Sequence, residues 1–300
     1  MGTRWSLHCV SAVPVDTLRA DIGTLLASIV SEMSNWEADS DISRFNRAPA
    51  GSWHSLPAQF HEVLETALSI ARESEGAFDP TVGPLVDLWG FGPSREPGRV
   101  PDRAAIATAA SEAAWSRISS DRAARRAFQP GGAELDFSGI AKGYAVDRIG
   151  RFLDAKGIRH FLAEIGGELL GRGIKPDGQP WWVDLELPPG CTVAPVRIAL
   201  HSLAAATSGN YRRFFRQSGH IFSHTIDPRT SSPIDNGIAS VTVLHESCMI
   251  ADAYATAISV MGPDKGLAFA SARNVAVHII VEKDGGWEEI PSPAFAAMLD

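Results

Sequence analysis

The chain has 300 residues, 45% hydrophobic and 21% charged, with a formal net charge of -8. That composition suits a globular protein whose core needs no disulfide or zinc staple. The acidic balance argues against a main task of gripping nucleic acid, which takes a basic footprint, and no stretch approaches the roughly 18 consecutive apolar residues of a membrane span. Cys9, Cys191 and Cys248 fall in no C-x-x-C spacing and read as reduced thiols. Residues 1–10 lack the long apolar core of a signal peptide. The chain as written therefore reads as cytoplasmic, a trimmed exported form being the other reading.

In chain order, residues 4–13 alternate Trp5, Leu7 and Cys9 with polar partners, a half-buried strand. Residues 15–33 carry Leu18, Ile22, Leu25, Leu26, Ile29, Val30 and Met33 at helical spacing. Residues 34–50 are polar and irregular. A second amphipathic helix is expected over 57–75, with Pro57 in its first turn and Gly76 as its stop. Residues 93–101, rich in Pro and Gly, read as a loop, and an Asp102-capped helix follows over 102–111. A helix over 141–156 stops at Gly157. Strands at 161–165 and 169–173 flank Gly166-Gly167 as a hairpin. Further strands are expected at 181–187, 196–200, 222–226 and 238–244. Helices over 248–261 and from Pro263 precede a buried strand at 275–281. Strands come in adjacent pairs without βαβ alternation, which favours an α+β fold of layered, largely antiparallel sheets with flanking helices. No composition shift marks a boundary, so residues 1–300 are expected to form one domain.

The most informative run is Glu134-Leu-Asp-Phe-Ser-Gly-Ile-Ala-Lys-Gly-Tyr-Ala-Val-Asp147. It reads as a strand end, a tight Ser138-Gly139 turn flanked by Asp136 and Lys142, and a helix start. A bare carbonyl, helix-N-terminal amides, an anion and a cation in one place suit a phosphate-bearing ligand and its metal ion. Downstream, Asp252 and Thr256 lie four apart, on one face of an otherwise small and apolar helix. A hard cation takes a carboxylate, a neutral oxygen and a carbonyl. The bland alternative is an Asp capping a neighbouring segment, with Thr bonded back to its own helix. In Phe222-Ser-His224-Thr-Ile-Asp227-Pro228, His224 could act as a general base or simply satisfy loop amides. Residues 76–80 and 207–211 are turns where ligand contacts concentrate. Ser208 lies in no G-x-S-x-G elbow, and the chain carries neither a dinucleotide fingerprint nor a P-loop.

Taken in order, these motifs resemble the ApbE family, the FAD:protein FMN transferases. The match runs from Met1-Gly-Thr-Arg-Trp5 through Glu32-Met33-Ser34, Ser43-Arg44-Phe45-Asn46, Gly76-Ala-Phe-Asp-Pro80 and residues 136–144. It continues through Ile165-Gly-Gly-Glu168, Thr207-Ser-Gly-Asn-Tyr211, Ser223-His-Thr-Ile-Asp-Pro228 and Ser240-Val-Thr-Val243 to Ala251-Asp-Ala-Tyr-Ala-Thr256. The resemblance implies a fold like the tunnelling type in its layered sheets. It implies transfer of the FMN half of FAD to a Ser or Thr of an acceptor flavoprotein, with AMP released. Mg²⁺ would be held by the Gly139 carbonyl and the side chains of Asp252 and Thr256. FAD would be held near Met33, Ala77, Phe78, Asp79, Asp136, Lys142 and Ile226. His224 would deprotonate the acceptor hydroxyl. A hydrolase splitting FAD to FMN and AMP and a non-enzymatic flavin binder are the competing readings. Three positions depart from the family pattern. Ala255 stands where some relatives place a carboxylate, so a second metal is not expected. Glu164 replaces an Asn before the Gly-Gly pair, and Ser231 replaces a Gly after the Asp-Pro turn.

Overall fold

The computed structural model describes residues 2–93, 98–283 and 285–299. The chain forms two compact units, each discontinuous in sequence: Met1–Ala27, Gly139–Gly209 and Asn236–Asp300 make the first, and Ser28–Ser138 with Asn210–Asp235 the second. The chain passes from one to the other after residues 27, 138, 209 and 235. Boundaries of this kind carry no linker and leave no compositional mark.

The first unit is built on a seven-stranded sheet in which every neighbouring pair is antiparallel. Its spatial order is Trp5–Cys9, Phe161–Ile165, Glu168–Arg172, Leu203–Gly209, Ile238–His245, Ala276–Lys283 and Gly286–Pro291. Side chains alternate between two apolar layers, as the two-residue period of a strand dictates. Ala206, Val241, Val243, Val277 and Ile279 pack with Ala251, Ala255 and Ile258 of the Cys248–Met261 helix and with Phe269 and Ala270 of the Pro263–Ala272 helix. On the opposite face Ala205, Leu244 and Ala276 pack with Trp181, Ile198, Leu200 and Phe295. The Glu168–Arg172 strand follows Phe161–Ile165 through Gly166-Gly167, at φ 60° and 102°. A two-residue hairpin loop with both central φ angles positive is a turn that glycine enters without steric cost.

In the second unit the Ala58–Glu73 helix buries Phe60, Val63, Leu64, Ala67 and Ala71, at the helical spacing expected of its sequence. Phe60 meets Phe137 edge-on at 5.3 Å. A three-stranded sheet orders Ser52–Ser55, Arg126–Gln129 and Ser119–Asp121. A hairpin pairs Phe214–Gln217 with His220–Ser223. Its Phe215 joins Leu85, Trp89, Phe91, Ala109 and Ile226 in a separate apolar cluster.

Several elements differ from the sequence expectation. Residues 34–50 include a helix, Asp41–Asn46, capped by the Ser40 side chain accepting from Ser43 N. The strand expected at 222–226 is divided into His220–Ser223 and Ile226–Asp227. Glu134 makes one isolated bridge with Val82, not a strand of a sheet. Part of the 93–101 loop, residues 94–97, lies outside the described residues. Among the described residues no helix is long and apolar enough to cross a membrane.

Candidate active site

In the first unit the Ala141–Ala155 helix and the Cys248–Met261 helix meet at Gly143. A Cβ there would lie 2.2 Å from the Cys248 carbonyl oxygen and 2.8 Å from Asp252 Cβ, so only glycine lets the two backbones approach this closely. Gly143 N–H is one of the first-turn donors a helix cannot satisfy internally. It donates to Asp252 Oδ2 at 3.0 Å. One turn further along, Asp147 caps the second helix. Its carboxylate accepts from Ser247 Oγ at 2.6 Å, Cys248 N at 2.8 Å and Met249 N at 3.1 Å. The register of the two helices is thus pinned by two aspartates, one from each.

Asp252 is 3% exposed. Its Oδ1 lies 3.8 Å from Lys142 Nζ, and the same ammonium donates directly to Glu168 Oε1. Glu168, first residue of its strand and 1% exposed, has its other oxygen, Oε2, buried with no hydrogen-bond partner. Thr256 follows Asp252 by one helical turn, and its Oγ1 lies 3.4 Å from Ser208 Oγ. Burial pushes the Asp252 carboxyl above its ordinary value, against the pull of Lys142 and the Gly143 amide. Burial likewise pushes Glu168 up to about 7. Burial opposes the Lys142 charge too, but the nearby Asp252 and Glu168 carboxylates outweigh it and hold the ammonium above the usual lysine range. Cys248 is driven well above a normal thiol by burial, so it is not a nucleophile.

Asp252 and Thr256 offer a carboxylate and a hydroxyl one turn apart on one helix, and Gly139, half-buried two residues before the other helix, offers a backbone carbonyl; all are hard oxygens. A carboxylate has about four lone-pair sites, and one amide satisfies little of what Asp252 offers. These residues fit a Mg²⁺-like ion that keeps waters or substrate phosphates in its remaining positions. Among the described residues no group of three or more His, Cys, Asp or Glu side chains gathers as a metal cluster. A transition-metal site of that kind is a different chemistry from the one-carboxylate set seen here.

The remaining predicted residues lie in the second unit. Met33 ends the Val15–Met33 helix and is 6% exposed; Ala77, Phe78 and Ile226 are also buried. Asp79 is buried, accepting from Thr81 N at 2.7 Å, Thr81 Oγ1 at 2.6 Å and Trp115 N at 3.4 Å. Burial raises its pKa despite these donors. Asp136 is half-buried, and its Oδ1 accepts from Ser138 N at 2.7 Å, which forms the tight turn. His224 Nδ1 lies 3.2 Å from the Arg213 carbonyl. A carbonyl only accepts, so Nδ1 carries a proton and donates to it. Stacking of Phe222 on Phe215, at 5.0 Å, and on Trp89, at 5.7 Å, steadies the strand that leads into His224.

Residues 1–280 match the family model described as the ApbE family. The chain belongs to the ApbE family. It is 37% identical to a FAD:protein FMN transferase of Vibrio cholerae over all of this chain and 90% of that one. A FAD:protein FMN transferase of Haemophilus influenzae is 34% identical over 93% of this chain and 83% of its own. Among solved structures, the apo flavinyl transferase ApbE of Pseudomonas stutzeri superposes with a TM-score of 0.90 at 34% identity, covering 99% of this chain and 96% of that one. The flavin transferase ApbE of Vibrio cholerae gives a TM-score of 0.91 at 35% identity with the same coverage. The mixed fold of helices and antiparallel sheet expected from the sequence is that of these ApbE structures.

Against the ApbE pattern, each departure in this chain has a local structural setting. Glu164 accepts from Ser6 Oγ at 2.9 Å across the first strand pair. Ser231 sits at φ 59°, a left-handed conformation that a glycine would adopt without strain. Ala255 is fully buried in the apolar layer. Sequence reasoning assigned no role to Glu168, Asp147 or Ser208. The available signal for Glu168 was an acidic residue directly after a hairpin Gly-Gly pair, where a strand start fixes its side chain. The Ser43-to-Asn46 motif also gains a purpose. Asn46 mimics a neighbouring strand by pairing with Leu135, accepting its N–H at 2.8 Å and donating to its carbonyl at 3.0 Å. Asn35 donates to the same carbonyl at 2.9 Å. Together they hold the segment that carries Asp136.

Proposed function

We propose that this chain is a Mg²⁺-dependent FAD:protein FMN transferase. It would cleave the diphosphate of FAD and attach FMN by a phosphoester bond to a Ser or Thr of an acceptor flavoprotein, releasing AMP. The names of the relatives support flavin transfer. The observation that carries the metal-dependent chemistry is Asp252: a buried carboxylate supplied with a single backbone donor, with a hydroxyl one turn along the same helix.

Asp252, Thr256 and the Gly139 carbonyl would hold the ion. Bound there, Mg²⁺ would supply charge neutralisation for the diphosphate and for the departing phosphate. Lys142, 30% exposed at its side chain, reaches phosphate oxygens as a point charge. Asp136 and the buried Met33, Ala77, Phe78, Asp79 and Ile226 shape the FAD contacts of the second unit. His224 Nε2 takes the proton of the acceptor hydroxyl. That oxygen then bonds to the FMN phosphorus while the bond from phosphorus to the AMP oxygen breaks.

The test incubates the protein with FAD and Mg²⁺, with and without an acceptor flavoprotein domain. AMP is followed by chromatography and the acceptor by mass spectrometry. The expected result is AMP release that depends on acceptor, with the FMN mass added on a Ser or Thr. AMP release at full rate without acceptor makes the protein a FAD hydrolase instead. Stoichiometric flavin binding with no AMP makes it a carrier.

A further inference from the structure

Lys142 is one cation placed between two buried anions. Its Nζ donates to Glu168 Oε1 and stands 3.8 Å from Asp252 Oδ1. A lysine that closes fully on Asp252 occupies the oxygen a divalent ion needs and adds a like charge beside that ion. Something must draw the ammonium aside without removing it, because the phosphate needs it. Glu168 is placed to do this. It is 1% exposed, anchored at the start of a strand directly after the Gly166-Gly167 hairpin, and its Oε2 is buried without a partner. An ammonium has three donors. The unmatched oxygen therefore gives Lys142 a second acceptor on the side of Glu168, available as it leaves Asp252.

We infer that Glu168 is a positioning residue which holds Lys142 off Asp252 and so keeps the carboxylate available to a divalent cation. This rests on the reading of Asp252 as a metal ligand given above. Two consequences follow. Removing the Glu168 charge lets Lys142 pair with Asp252 and weakens metal binding, although Glu168 touches no metal. Removing Lys142 as well abolishes the competition and restores binding, which a general distortion of the site would not do.

The experiment titrates Mn²⁺ into FAD-free protein at pH 8 and follows free Mn²⁺ by electron paramagnetic resonance. The chains compared are wild type, Glu168→Gln, Lys142→Met, the double variant and Asp252→Asn. Glu168→Gln should raise the Mn²⁺ Kd about tenfold or more, the scale of an ordinary coupling between neighbouring charges. The double variant should return to the Kd of Lys142→Met. An unchanged Kd in Glu168→Gln, or a loss that persists in the double variant, overturns the inference. Failure of the underlying reading shows differently, as equal binding by wild type and Asp252→Asn, or no binding by wild type at all.

Discussion

The two ends of one helix contact carry aspartates of opposite character. Asp147 receives three donors, a hydroxyl and two backbone amides at the start of the Cys248–Met261 helix. Asp252, five residues into that helix and as deeply buried, receives one amide and shares a lysine with a second carboxylate. A buried carboxylate with its lone pairs filled contributes to stability, and one left under-supplied costs stability unless a ligand completes it. Asp147 thus belongs to the scaffold, whereas Asp252 is a buried carboxylate left under-supplied with donors.

The sharpest way to break this contrast is to delete each carboxylate. Asp147→Ala leaves buried donors without acceptors and should lose about 4 kcal/mol of stability, from roughly 1–3 kcal/mol for each group stranded. Asp252→Ala strands only the Gly143 amide and removes an under-supplied carboxylate, so the metal-free protein should lose about 1 kcal/mol or less. Parallel thermal or urea unfolding decides between them; equal losses would erase the distinction.

Next in size is a pH effect. Protonated Glu168 is favoured in the folded state, with its pKa pushed from 4.5 to about 7. The folded protein therefore keeps a proton that the unfolded chain gives up first. Stability is highest below about pH 4.5 for this group and falls as pH rises through 7, by roughly 3 kcal/mol. Denaturant midpoints across pH 4.5–8 in chelator should show this decline for wild type relative to Glu168→Gln, which lacks the titrating group. A flat difference would place Glu168 in a more solvated setting.

Gly143→Ala tests the contact itself. Its methyl meets a backbone carbonyl at 2.2 Å, so the helices must part, at a cost of about 2 kcal/mol. Metal binding should weaken with it. The smallest effect is Ser231→Gly, which relieves a left-handed residue at φ 59°. It should stabilise by about 0.5–1 kcal/mol after the extra flexibility of glycine is counted. Its backbone bonds to Asp227 and Trp89 stay in place.

Much of this was legible in the sequence where local and tertiary signals agree. The Cys248–Met261 helix lies where its small and apolar run put it, and the Gly-Gly hairpin lies where its turn residues put it. The Leu203–Gly209 strand was not legible. Its sequence, Leu-Ala-Ala-Ala-Thr-Ser-Gly, has little intrinsic β preference, and it exists because Glu168–Arg172 and Ile238–His245 offer pairing on both sides. The Asp41–Asn46 helix was lost for a related reason: six polar-rich residues show too little periodicity to register. At the site, Asp252, Thr256, Lys142 and Gly139 stood out by motif. Glu168 and Asp147 did not, because their importance lies in partners 26 and 100 or more residues away.

The most direct test of the central claim is AMP release from FAD by Asp252→Asn across a Mg²⁺ titration, with acceptor present and folding verified. The proposed role of Asp252 predicts that this folded variant loses Mg²⁺-dependent turnover by about a thousandfold or more, the scale on which a metal that stabilises developing charge acts. Turnover within a fewfold of wild type, with the same Mg²⁺ dependence, would contradict it.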